Sequence, residues 1–278
     1  MEQLNPRSVL VTGSNRGLGL ELIQHLARKN SPPKWIFATC RDPAGSGAQD
    51  LKNLAAKNPQ IVLITLDTTD PSSIKAAAAK VTNCLKGAGL NLLINNAGII
   101  NISNLETETP ESMAEIYRTN VIGPMMVVQA FLPLLRKAAH ESPLEGMNCS
   151  KAAIINISSQ AGSITSVFEW QWSHIIGYRC SKSALNMLSK CQSLYLAKDE
   201  ILCVALHPGW IQTDMARSML RTAPYSGVAS LMCSYGDGQG SPSLTTEQSL
   251  QAILKTLGRL SEKNTGTFVN WEGILIPW

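Results

Sequence analysis

Aromatic residues make up only 5% of this 278-residue chain and charged residues 16%, and its seven cysteines include no Cys-x-x-Cys pair. An odd, scattered cysteine set (Cys40, Cys84, Cys149, Cys180, Cys191, Cys203, Cys233) argues against a disulfide framework and for a reducing compartment, so a cytoplasmic location is expected. The segment Met1 to Arg7 lacks the charged-then-apolar layout of an export signal, and no apolar run approaches the roughly 18 residues that cross a bilayer. Without that signal, the Asn-x-Ser matches at Asn101, Asn148 and Asn156 are chance sequence. The 24 basic and 20 acidic residues leave a net charge of +4, with no run denser than Arg217 to Arg221 or Lys34 to Arg41. Nucleic acid is therefore not an expected partner, because tracking phosphates needs a basic stripe. The four histidines, His25, His140, His174 and His207, show no ligand-like spacing with acids or cysteines, so no metal is expected.

What is present is a globular composition, 44% hydrophobic, patterned in short runs. Val9–Val11, Trp35–Thr39, Ile61–Leu66, Leu92–Ile94, Ala152–Ile157, Leu202–Leu206 and Thr267–Asn270 are seven candidate strands. Each is apolar on both faces, as a parallel strand must be when helices cover both sides of its sheet. Between them lie helical spacings such as Leu18, Leu22, Ile23, Leu26 and Ile116, Val121, Met125, Val128. The expected fold is a single-domain, doubly wound α/β structure over residues 1–278, with a parallel sheet of about seven strands and helices on both faces. No internal repeat or domain linker interrupts it. Arg41 to Asp50 and the Gly/Ser/Pro-rich stretch from Tyr235 to Ser243 read as loops.

The first strand runs directly into Gly13-Ser14-Asn15-Arg16-Gly17-Leu18-Gly19, and helical spacing begins at once. In a strand–turn–helix unit Gly13 permits the tight turn, Gly17 clears the approach of a pyrophosphate, and Gly19 lets helix and strand pack closely. The helix N-terminus offers that anion free N–H groups and a positive dipole end. The sheet is thus expected to be of Rossmann type, with the whole turn as a dinucleotide cradle. Twenty-two residues beyond Gly19, where an acid would hold a ribose 2′-hydroxyl, stands Arg41. With Arg16 it would pair with a 2′-phosphate, which points to NADP(H); Asp42 beside it keeps NAD open.

Tyr178 and Lys182 lie one helical turn apart, where an ammonium would favour the phenolate form. Upstream, Ser158 and Ser159 end a buried strand, at the sheet edge where open α/β folds bind ligands. Either hydroxyl could hold a substrate carbonyl.

Taken in order, the Thr12-Gly13-x-x-x-Gly17-x-Gly19 turn, Asn95-Asn96-Ala97-Gly98, Asn120, Ser159, Tyr178-x-x-x-Lys182 and Pro208-Gly209 resemble the short-chain dehydrogenase/reductase family over nearly the whole chain. Arg16-Gly17-Leu18-Gly19, the run from Tyr178 to Asn186 and His207-Pro208-Gly209-Trp210 further resemble its sniffer and C-factor branch of carbonyl reductases. The resemblance implies that Tyr178 donates a proton to a ketone whose oxygen Ser159, the second serine of the pair, orients. It implies that Lys182 lowers the tyrosine pKa and holds the nicotinamide ribose, and that Asn120 supports a water relaying protons to Lys182. Asp67 would meet the adenine; Asn95, Ala97 and Gly98 would line its ribose; Pro208, Gly209, Ile211 and Thr213 would fix the carboxamide and pyrophosphate.

The expected activity is NADPH-dependent reduction of ketones, aldehydes or quinones, steroid ketones included. An oxidising hydroxysteroid or alcohol dehydrogenase uses the same residues, and a non-catalytic NADP(H) sensor is the reading from another class. Ser159 and Tyr178 stand 19 apart, wider than in many members, and Phe168, Trp170 and Trp172 fill the gap. Trp170, Trp172, His174 and Trp210 are candidate substrate-pocket residues, the tryptophans either walling an apolar mouth or packing on the domain. Residues 216–243, with Met219, Leu220, Tyr225, Leu231 and Met232, are either an adaptable substrate lid or an ordinary helix pair. Cys180 is read as an inert thiol rather than an alkylation target. Members of the family range from monomers to tetramers, which leaves a homodimer open.

Overall fold

The computed structural model describes residues 4–167, 170, 174–211 and 245–278. Seven strands form one sheet in the order β3-β2-β1-β4-β5-β6-β7, every neighbouring pair parallel. They are β1 Ser8–Val11, β2 Trp35–Cys40, β3 Ile61–Thr65, β4 Leu92–Asn95, β5 Ala153–Ile157, β6 Leu202–His207 and β7 Phe268–Asn270. The described helices are α1 Gly17–Ala27, α2 Gln49–Lys57, α3 Pro71–Leu85, α4 Pro110–Tyr117, α5 Gly123–Glu141, α6 Ile176–Tyr195 and α7 Thr246–Leu257. The seven expected strands are those observed, to within a residue or so at their ends.

Alternation along each strand divides the core in two. Val9 and Val11 of β1 pack with Leu22 and Leu26 of α1, Leu51 of α2 and Ile253 of α7. Leu10, between those valines, faces the other way, onto Ile74 and Val81 of α3 and Val127 and Phe131 of α5. Both faces being covered, most strand residues are apolar, and the runs do not alternate regularly with polar residues. The stretch 110–141 is long and apolar enough to cross a bilayer by length and composition. Much of its apolar surface goes into this core, through Val127, Phe131, Leu134 and Leu135.

Chain order reverses between β1 and β4, whose carboxyl ends open the crevice where ligands bind in such sheets. A five-residue π-helical turn, Arg118–Ile122, interrupts what reads as one helix from Ile116 to Val128, and it carries Asn120. Three of the described helices, α3, α4 and α7, start on a side-chain cap: Asp70 accepts from Ser72 N at 2.9 Å, Thr109 from Ser112 N at 3.1 Å and Thr245 from Gln248 N at 3.1 Å.

Candidate active site

At the β1 edge Gly13 adopts φ 66° and Gly17 φ 53°, the left-handed region where a side chain is strained. A Cβ on Gly19 would lie 2.2 Å from the Gly13 carbonyl oxygen, so only glycine lets α1 approach the turn. Thr12 and Asn96 lock β1 to β4. Thr12 Oγ1 accepts from Asn96 N at 2.9 Å and Ala97 N at 3.0 Å, while Asn96 Nδ2 donates to the Thr12 and Gly13 carbonyls at 2.8 and 3.1 Å. Ser14 is tied inward, its Oγ donating to the Val11 carbonyl at 2.8 Å. Asn15 Nδ2 donates to the Gly47 carbonyl at 3.1 Å, coupling the turn to the loop after β2. Leu18 is half-buried against the α1 side of the core. α1 has neither a side-chain cap nor an acid in its first turn, which leaves its N–H groups open to an anion. This cradle fits a dinucleotide pyrophosphate.

The residues that would choose the dinucleotide are also placed. Arg16 and Arg41 are exposed, and among the described residues neither joins an ion pair. Asp42 Oδ1 accepts from Ala44 N at 3.1 Å and Gly45 N at 2.9 Å, so its carboxylate is committed to its own turn. Asp67 Oδ1 accepts from Thr69 N and Thr69 Oγ1 at 2.8 and 2.7 Å. Asn95 turns its side chain into the core, Nδ2 donating to Asn156 Oδ1 at 2.8 Å, and its own Oδ1 is buried without a partner among the described residues. What Asn95 presents at the crevice is therefore backbone.

The catalytic candidates meet where β4, β5 and α6 converge. Asn120 is fully buried; Nδ2 donates to the Ile99 carbonyl at 2.9 Å and Ser181 Oγ at 3.0 Å, and Oδ1 accepts from Ile99 N at 2.9 Å. Widening the helix by one residue per turn is what brings this side chain to α6. Gly98 lies against it: a Cβ there would stand 3.3 Å from Asn120 Oδ1 and 3.7 Å from Lys182 Nζ. Lys182, 5% exposed, donates to the Ile157 carbonyl at 2.9 Å, and its Nζ is 5.5 Å from the centre of the Tyr178 ring. Burial pulls this lysine down to about 8.

Tyr178 is half-buried and pushed up to about 12 by burial, with the nearby Ser159 hydroxyl acting in the opposite sense. The Lys182 ammonium, held on the Ile157 carbonyl, stands behind the ring. The two serines separate cleanly: Ser158 is 3% exposed and donates to Asn186 Oδ1 at 2.6 Å, whereas Ser159 is half-buried and faces Tyr178.

After β6, Gly209 takes φ 89°, the Pro208 carbonyl accepts from Ser249 Oγ at 2.6 Å, Trp210 is half-buried and Ile211 buried. The indole of Trp170 lies 4.8 Å from the His174 ring, with the Arg179 guanidinium 5.8 Å over it, so Trp170 and His174 gather on Arg179 rather than standing apart in the loop. Thr213, Phe168, Trp172 and the segment 216–243 lie outside the described residues. Two contributors escape the sequence reading. Asn186 holds both Ser158 and the Gly162 carbonyl, at 2.6 and 3.3 Å, and its signal lay in the run from Tyr178 to Asn186. Glu108, bonded to Gly177 N at 2.9 Å, sits in no motif.

A glycine cradle at the β1–β4 crevice, with Ser159, Tyr178 and Lys182 beside it, defines a dehydrogenase of the nicotinamide-dependent kind. The short chain dehydrogenase family model matches residues 7–223, and the chain belongs to that family. Among solved structures it is similar to the NADPH-bound carbonyl reductase from chicken fatty liver, 50% identical, covering 99% of this chain and 100% of that one with a TM-score of 0.88. It is similar too to the carbonyl reductase Sniffer of D. melanogaster, 35% identical over 99% and 100% of the two chains, TM-score 0.85. An uncharacterized oxidoreductase of Schizosaccharomyces pombe is 30% identical over 269 residues, 96% of each chain.

Proposed function

We propose that this protein reduces the carbonyl group of ketones, aldehydes or quinones with NADPH, Tyr178 giving the proton. The observation that carries this is Lys182 buried behind the Tyr178 ring, its Nζ 5.5 Å from the ring centre, with the half-buried Ser159 beside them at the edge of the sheet where the glycine cradle opens. When bound, the reduced nicotinamide supplies the hydride. Ser159 donates to the substrate oxygen and orients it. Tyr178 holds a proton at its Oη and releases it to that oxygen as negative charge builds there. Lys182 presents a positive charge to the phenolate left behind. Gly13, Gly17 and Gly19 admit the pyrophosphate to the N-terminus of α1.

The 2′-phosphate reading rests on Arg41 and Arg16 being exposed and, among the described residues, in no ion pair, while Asp42 is occupied by its own turn. Reduction follows from the NADPH reading, and one feature speaks against pure cofactor sensing. A sensor would not need Ser159, Tyr178 and Lys182 together. The fit of the relatives adds support, since the chicken enzyme that resembles this chain at 50% identity holds NADPH and is a carbonyl reductase. The location proposed is the cytoplasm, a reading that rests on the scattered, odd cysteine set.

The test is a panel of small hydrophobic carbonyl compounds offered with NADPH and with NADH, followed by loss of reduced-ring absorbance. NADPH consumption by the wild type, several-fold more efficient than with NADH, is the expected result. No consumption with any carbonyl, or preference for NADH, would sink the reading.

A further inference from the structure

α6, the helix that carries Tyr178, starts without a cap of its own. Ile175, just before its first turn, has left-handed φ 36° and ψ 50°, and no side chain there accepts from the turn. The acceptor comes instead from a distant loop: Glu108 Oε2 accepts from Gly177 N at 2.9 Å, across 69 positions of sequence. The same oxygen accepts from Ser103 Oγ, and Oε1 accepts from Thr109 N at 3.2 Å. The loop that presents Glu108 is itself stiff. Asn104 Oδ1 accepts from Glu106 N and Thr107 N, both at 2.9 Å, and its carbonyl accepts from Glu108 N at 2.9 Å.

Burial would raise the Glu108 carboxyl, but hydrogen bonds from Ser103, Ser112, Gly177 and Thr109 outweigh it and hold the group below the usual carboxylate range. A carboxylate is what an open helix N-terminus favours, because it meets both an orphan N–H and the positive dipole end. The contact is close enough to dictate the residue opposite. A Cβ on Gly177 would stand 2.6 Å from Glu108 Oε2 and 3.0 Å from Ile116 Cδ1.

Tyr178 follows Gly177 directly. We propose that Glu108 is a positioning residue for carbonyl reduction: it caps α6 from the loop before α4, and so fixes the helical turn on which the Tyr178 phenol stands. This rests on Tyr178 being the proton donor. Freed of its acceptor, the first turn of α6 frays and the phenol leaves the reactive geometry, while the dinucleotide cradle on β1 and α1 is untouched.

The experiment compares Glu108→Ala with Glu108→Gln, which keeps an acceptor oxygen for Gly177. With NADPH and a carbonyl substrate, the alanine variant loses roughly ten- to a hundredfold in kcat, the scale of a small misplacement of a reacting group. Its NADPH dissociation constant, read from cofactor fluorescence, stays within about twofold, and the glutamine variant recovers most of the kcat. Without cofactor, amide exchange at Gly177 speeds at least roughly tenfold in the alanine variant and not in the glutamine one. An unchanged kcat in Glu108→Ala, a glutamine variant no better than the alanine one, or loss of NADPH affinity in step with kcat overturns the role. Failure of the underlying reading looks different: Tyr178→Phe then turns over like the wild type, whatever the Gly177 amide does.

Discussion

Ser158 Oγ donates to Asn186 Oδ1 at 2.6 Å inside the core, while the hydroxyl of its neighbour Ser159 is half-buried at the crevice and accepts from Ala161 N at 3.2 Å. Adjacent residues on an extended backbone point to opposite sides, so two hydroxyls that look interchangeable in sequence have separate duties.

Replacement separates those duties. Ser159→Ala is expected to lower kcat by roughly 10²-fold, the cost of one lost donor to a developing oxyanion, with the unfolding midpoint unchanged. Ser158→Ala leaves the Asn186 oxygen short of a donor and is expected to cost about 1–3 kcal/mol in denaturant unfolding, with turnover largely kept. Rate assays and urea titrations on both variants read the contrast; equal rate losses would contradict it.

How far the sequence revealed this depends on the range of the forces involved. The strands were legible because burial on both faces demands continuous Val, Ile and Leu, and the cradle because Gly13, Gly17 and Gly19 answer local backbone needs. The π-helical turn at Arg118–Ile122 was not, since it arises from what Asn120 must reach, Ile99 and Ser181, across the fold. Nor was the depth at which Tyr178 and Lys182 sit, which sets their ionisation; spacing put them together but says nothing of desolvation. The Glu108–Gly177 contact joins a loop to a helix 69 positions away and leaves no local pattern.

Cofactor choice is testable at Arg41. Arg41→Ala is expected to weaken NADPH use about tenfold, as loss of a charge-assisted contact to phosphate does, and to leave NADH use unaltered. Steady-state KM values for both dinucleotides check it; an equal effect on the two would place Arg41 outside the 2′-phosphate site.

His207 makes stability sensitive to acid. Its ring meets Trp271 edge-on at 5.7 Å, Nδ1 has no partner among the described residues, and burial pulls it from 6.5 down to about 4. Above 6.5 both folded and unfolded chains hold the ring neutral. Between 6.5 and 4 the unfolded chain binds the extra proton, so stability present at neutral pH drains as pH falls, by up to about 3 kcal/mol at roughly 1.4 kcal/mol per pH unit. Unfolding free energies from pH 7 to 4 should show this slope, and His207→Asn should flatten it.

Lys182 sets the alkaline limb of catalysis. Its charge is present below about 8 and lost above, while the Tyr178 proton persists to about 12. The kcat/KM for carbonyl reduction is therefore expected to stay level below pH 8 and to decline tenfold per unit above it. A profile flat to pH 10 would show that the ammonium is not needed.

Tyr178→Phe removes one oxygen and little else, and pre-steady-state NADPH oxidation with a reducible ketone reports directly on that atom. A fall of roughly 10²- to 10⁴-fold in the hydride-transfer rate, with NADPH binding intact, is expected of a lost proton donor. Transfer at the wild-type rate would mean that the proton comes from somewhere else.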